Sequence, residues 1–101
     1  MRHVLITTEG KKLQEGSKER ELENEKMVLG LLMHKVQPLR IECEGKLVYF
    51  IFDAVETNDA MMKLLSNGDD PVQVRDVFYA METWKNALTL AKAVLKETRD
   101  K

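Results

Sequence analysis

Cys43 is the only cysteine in the chain, and with His3 and His34 it completes the set of soft metal ligands. A zinc site needs four such ligands, usually in close pairs, and these three stand far apart in sequence. Cysteine catalysis would need an exposed thiol beside a base. Cys43 instead stands between Glu42 and Glu44 in a strand-like stretch, where alternation turns it to the apolar core face, and it reads as a small buried hydrophobe. His34, near the expected end of a helix, reads as a cation at the negative end of the helix dipole. The carboxylate pairs Asp53/Glu56 and Asp69/Asp70 could serve acid–base chemistry, but helix caps and turns account for both. Gly10 and Gly16, followed by Ser17-Lys18, resemble a phosphate loop only superficially. The gap between the glycines is one residue too long, and Lys and Ser stand in the wrong order. No catalytic site, cofactor or metal is therefore expected, and the chain does not read as an enzyme. The remaining chemistry is contact chemistry. Lys35, Arg40, Lys46 and Tyr49 combine cations with an aromatic, as sheets that bind single-stranded nucleic acid do. Glu42 and Glu44 lie among them and would repel phosphates.

The segment that must position these residues is Leu39–Phe52, the densest run of strand formers, which holds three of the six aromatics. A Glu-Gly turn divides it, so it reads as a β-hairpin. With Glu44 and Gly45 as the loop, Cys43 faces Lys46, Ile41 faces Val48, and Leu39 faces Phe50. Alternation then places Leu39, Ile41, Cys43, Val48, Phe50 and Phe52 on one wholly apolar face, the core face. The other face carries Arg40, Glu42, Leu47, Tyr49 and Ile51. Its last three residues need cover from a third strand, another subunit or a partner.

Before the hairpin, His3–Thr8 either forms a short strand beside it or leaves residues 1–18 as a loose arm. A first helix is expected over Ser17–Val36, with Ser17 as N-cap and Pro38 as the stop. After the hairpin, Asp53 and Glu56 form a capping-box pattern, with Thr57 as a rival cap. The second helix should run to about Ser66, present Met61, Met62, Leu64 and Leu65, and end at Asn67-Gly68. Asp70 as N-cap, Pro71 at the first position and Gln73 open a third helix that meets no breaker before Glu97. Val74, Met81, Leu88 and Leu95 recur every seven residues on it, with Val77, Trp84 and Ala91 between. At about 40 Å it should outrun a domain of this size and project or pair. The fold class is therefore α+β: a hairpin or three-stranded sheet against three helices, in the order (β)-α-β-β-α-α. Residues 19–101 form the single domain.

From Met27 to Val94 the chain resembles a group of small uncharacterised domains of bacterial and phage genomes. The resemblance rests on Val28, Leu29, Leu31 and Leu32, on Phe50-Ile51-Phe52-Asp53, on Asn67-Gly68, on Val72–Ala80, and on Trp84-Lys85. It implies an α-β-β-α-α order and a mobile-element origin, and it carries no activity.

Composition narrows the partners. Sixteen basic residues stand against seventeen acidic ones, for a net charge of −1, which argues against a general nucleic-acid coat or a membrane-binding arm. Charge is uneven along the chain. Asp53–Asp76 holds six acids and two bases, Lys85–Lys101 five bases and two acids. No apolar run exceeds six residues, so no transmembrane span is expected. A lone cysteine and no signal-peptide pattern lead to the expectation of a cytoplasmic protein. The leading functional expectation is a small interaction module acting as a homodimer or on a protein partner. Its expected interface residues are Leu47, Tyr49, Ile51, Trp84, Leu88 and Leu95. The alternative is a nucleic-acid accessory protein that uses the outer hairpin face and the basic last helix.

Overall fold

The computed structural model describes residues 1–66 and 72–99. Four strands, β1 (His3–Thr7), β2 (Glu19–Leu22), β3 (Arg40–Glu44) and β4 (Leu47–Asp53), form one sheet in the order β1-β3-β4-β2, with every pair antiparallel. Three helices complete the α+β fold: α1 (Glu25–Met33), α2 (Ala54–Ser66) and α3 (Val74–Arg99). The Asn67-Gly68 stop, the Asp70-Pro71 cap and the side chains of Leu64 and Leu65 lie outside the described residues.

The hairpin forms one step away from its expected loop. Glu44 pairs with Leu47, and Gly45-Lys46 is the loop, with Gly45 at φ +60°. A two-residue turn whose first central residue has positive φ favours glycine there, which draws the loop onto Gly45. Each partner thereby moves by two residues, so the faces keep their identity. Ile41, Cys43, Val48, Phe50 and Phe52 all point into the core, and none is more than 6% exposed.

The expected first helix is shorter at both ends. At its start, Glu19–Leu22 is strand β2, paired with Asp53–Phe50 of β4. Helix propensity in this charged run loses to cross-strand pairing, because period-two alternation buries Leu22 and leaves Glu19 and Glu21 on the outer face. Asn24, not Ser17, is the N-cap: its side chain accepts from Met27 N at 3.1 Å. At the other end α1 stops at Met33, well before Pro38. Val36 N donates to Leu31 O (3.0 Å) and Lys35 N to Leu32 O (3.1 Å), with Lys35 at φ +65°. That is a Schellman closure, and its usual hydrophobic contact is supplied by buried Val36 and Leu31. A lysine is strained in this conformation. Lys35→Gly should therefore stabilise the protein by about 1 kcal/mol, read as a raised urea midpoint with unchanged slope.

β1 and β2 are neighbours in sequence but occupy opposite edges of the sheet. The chain between them passes along the end of the sheet where Asp53 closes β4. Asp53 is 1% exposed and gathers four donors: Gln14 N and Ser17 Oγ, each at 2.7 Å, Val55 N at 2.9 Å and Glu56 N at 3.2 Å. It is thus the N-cap of α2 and the anchor of the crossing loop at once. The expected capping box is half formed, since Glu56 takes Lys11 Nζ at 2.6 Å instead of reaching back. Thr57 lies inside α2, buried, and is not the cap.

Burial by itself would raise the Asp53 carboxyl pKa, but the four donors outweigh it and hold it below the usual value. Below about pH 4 the unfolded chain then binds this proton first. Stability from Asp53 is therefore full above that pH and is lost as the pH falls through the lower folded value. At neutral pH, Asp53→Ala should cost about 2 kcal/mol in a denaturant titration, the upper range for a cap. Asp53→Asn should lose less stability than wild type on further acidification. An equal acid response in the two proteins would contradict this assignment.

α1 and α3 pack over the core face. The inward stripe of α3 is Ala80, Trp84, Ala87, Ala91 and Val94; the three alanines are at most 5% exposed. These small residues let the helix backbone approach the bulky Phe50 and Phe52. α3 therefore lies across the body of the domain and does not project free of it. Its start also differs from expectation: Val72 and Gln73 are not helical, and the Gln73 carbonyl accepts from Asp76 N and Val77 N to open the helix at Val74.

Candidate interaction surface

The outer sheet face is a lattice of charges laid over apolar residues. Register places Arg40, Ile51 and Glu21 in one row across β3, β4 and β2. The Arg40 guanidinium crosses β4 to hold both oxygens of Glu19 at 2.7 Å and also pairs with Glu42. Arg2 pairs with Glu21, lies within 4 Å of Glu42 and Glu44, and sits 4.1 Å above the Tyr49 ring. The hydrogen bonds that these arginines donate lower the Glu19 and Glu21 pKa values and raise the arginines' own. The cover that this face needed is thus supplied by strand β2 and two arginine side chains of the same chain.

That finding revises the expected interface. Ile51 is fully buried and presents nothing to a partner. Tyr49 is half-buried beneath Arg2, and only Leu47, 52% exposed, stays open on this side of the hairpin. The expected nucleic-acid residues are not brought into one patch either. Arg40 is committed to two glutamates, Tyr49 to Arg2, and Lys46 stands at the hairpin loop, at the opposite end of β3 from Arg40 and Lys35. Four glutamates against two arginines make this face acidic.

The helical side is different. Trp84 is half-buried and stacks on Phe50, with centroids 5.5 Å apart and planes at 10°, so it belongs mainly to the core. Leu88 stays 36% exposed, and Leu95 is half-buried. Beside them lie three residues not expected at an interface by name: Val74 (68% exposed), Phe78 (65%) and Met81 (55%). Val74 and Met81 belong to the heptad pattern that suggests helix pairing, but they are not among the six expected interface residues. Phe78 falls on the adjoining position of the same flank, one turn from Val74 and Met81. The flank borders a groove of about 720 Å³ between α3 and α1, lined by Leu29, Phe78, Met81, Trp84 and Leu88, with Glu25, Glu82 and Lys85 at its rim. A second hollow of about 280 Å³ continues it past Leu88, Ala91 and Leu95 to the hairpin loop.

The polar basin elsewhere holds less promise for chemistry. A cavity of about 310 Å³ at the loop end of the sheet is lined by Gln14, His34, Glu56, Asp59 and Lys63, with Glu56 bound to Lys11. Cys43 is 1% exposed on the core face, and burial pushes its thiol pKa up. It should react slowly with a thiol reagent in the folded protein and rapidly in denaturant, and rapid labelling of folded protein would refute this placement. Among the described residues, no group of three or more His, Cys, Asp or Glu side chains could share a metal ion, and no helix is long and apolar enough to cross a membrane. No protein-family model, curated protein or solved structure matches the chain.

Proposed function

We propose that the protein is a non-enzymatic interaction module that acts as a homodimer joined through the exposed flank of α3. One observation carries the reading: Val74, Phe78, Met81 and Leu88 stand a third or more exposed along one side of a single helix, beside an apolar groove. Scattered apolar residues are normal on a surface, but a contiguous stripe with a bulky aromatic marks a contact site. A two-fold pair is the simplest closed arrangement, since one self-complementary patch then covers both copies. The helix-in-groove mode needs no catalytic group and uses anchors three and four residues apart, the spacing found here.

Sedimentation velocity at micromolar concentrations tests the reading. A species of twice 11.7 kDa that dissociates on dilution is the expected result. A single species of 11.7 kDa throughout the range would overturn it.

A further inference from the structure

We propose that the two copies pair their α3 helices antiparallel, about a two-fold axis between Met81 and Lys85. Phe78 of each copy then meets Leu88 of the other, and Glu82 of each reaches the other's Lys85. The inference rests on the dimer reading above and specifies how the partner, a second copy, is seated.

Shape is the first argument. Residues 74, 78, 81, 85, 88, 92 and 95 follow the alternating four-three spacing of a helix-pairing seam. The protruding apolar side chains, Val74, Phe78 and Met81, lie in its first half. The hollow lined by Leu88, Ala91 and Leu95 lies in its second half. An antiparallel pair brings Phe78 and Val74 of one copy onto the hollow of the other, where Lys92 also lines the wall, and it does so twice, with Met81 facing Lys85 across the axis. Phe78 and Leu88 are ten residues apart, about 15 Å along the helix, so the axis between them falls within the apolar groove.

Charge is the second argument. The seam's first half is flanked by Glu82, and its second half holds Lys85 and Lys92. A parallel pair would set Lys85 against Lys85 and Lys92 against Lys92 along the seam. The antiparallel pair replaces the first of these repulsions with two Glu82–Lys85 attractions and opposes the helix dipoles. Within one copy, no ion pair joins Glu82, Lys85 or Lys92 to another described residue, whereas Arg2, Lys11 and Arg40 are all paired.

A charge-swap experiment tests the arrangement, with wild-type sedimentation as its reference. Glu82→Lys and Lys85→Glu are both exposed changes on the helix surface, and circular dichroism checks that each variant folds. Each alone should dimerise about tenfold more weakly than wild type, because attraction becomes repulsion at two symmetric places. An equimolar mixture of the two should recover wild-type affinity as a heterodimer. A wild-type dimer with no loss in either variant, or with no recovery on mixing, would overturn the antiparallel register and leave the dimer standing. A wild-type monomer would overturn both. Cysteine pairing gives an independent reading, since the native Cys43 is buried. Phe78→Cys mixed with Leu88→Cys should form a disulfide-linked dimer on oxidation, and neither should do so alone. Cross-linking of Leu88→Cys with itself would refute the proposal.

Discussion

Phe50→Ala is expected to remove most of the stability of this protein. Phe50 is fully buried at the centre of β4, opposite Ile41 on one side and Leu22 on the other. Its ring stacks on Trp84 at 5.5 Å and lies 6.4 Å from Phe52, so it joins the sheet to α3. Truncating a buried Phe costs about 3–5 kcal/mol through lost burial and the cavity left behind. The neighbours cannot collapse easily into that space, because on the helix above, Trp84 is flanked by the alanines at 80, 87 and 91, which have no side chain to extend into it. Loss of the stacked pair adds about 1 kcal/mol. A domain of this size holds roughly 5–15 kcal/mol in all, so the variant should be partly unfolded at 37 °C. Urea denaturation followed by the fluorescence of Trp84, the only tryptophan, measures the effect directly. Phe50→Leu should retain most of the stability. A loss under 2 kcal/mol for Phe50→Ala would mean that α3 does not rest on this ring.

Phe78→Glu should abolish self-association while leaving the fold intact. Phe78 is 65% exposed in one copy, so its replacement by a charged residue costs the isolated domain little. In the proposed dimer the same side chain is desolvated against Leu88 of the other copy. A carboxylate buried there without a partner costs several kcal/mol, which shifts dissociation by three orders of magnitude or so. Leu47→Glu on the hairpin serves as the comparison. Leu47 is 52% exposed on the opposite side of the sheet and lies outside the proposed seam, so dimerisation should be unchanged. If Leu47→Glu broke the dimer and Phe78→Glu did not, the sheet and not the helix would be the contact surface. Both proteins should keep wild-type circular dichroism and nearly wild-type urea midpoints.

What the sequence determined by itself was the short-range pattern of the hairpin and of the start of α2. The alternation through Leu39–Phe52 set the core face of the hairpin, and a loop displaced by one residue did not disturb it, since pleat parity survives a two-residue shift of partners. The pattern from Asp53 placed the start of α2, because a cap depends on amides two and three residues away. What tertiary structure decided was everything that required knowing a distant partner. Glu19–Leu22 has the composition of a helix and becomes a strand only because β4 has an open edge to pair with. The apolar outer residues Tyr49 and Ile51 looked like a contact surface until β2 and the arginines from positions 2 and 40 were laid over them. Along α3, the heptad of large residues was legible, but its direction was not. Hydrophobicity favours the larger side chains for the core, whereas Phe50, Phe52 and Trp84 already fill the space beneath the helix, and only alanine fits at the closest approach. The same packing leaves Phe78 and Met81 facing outward.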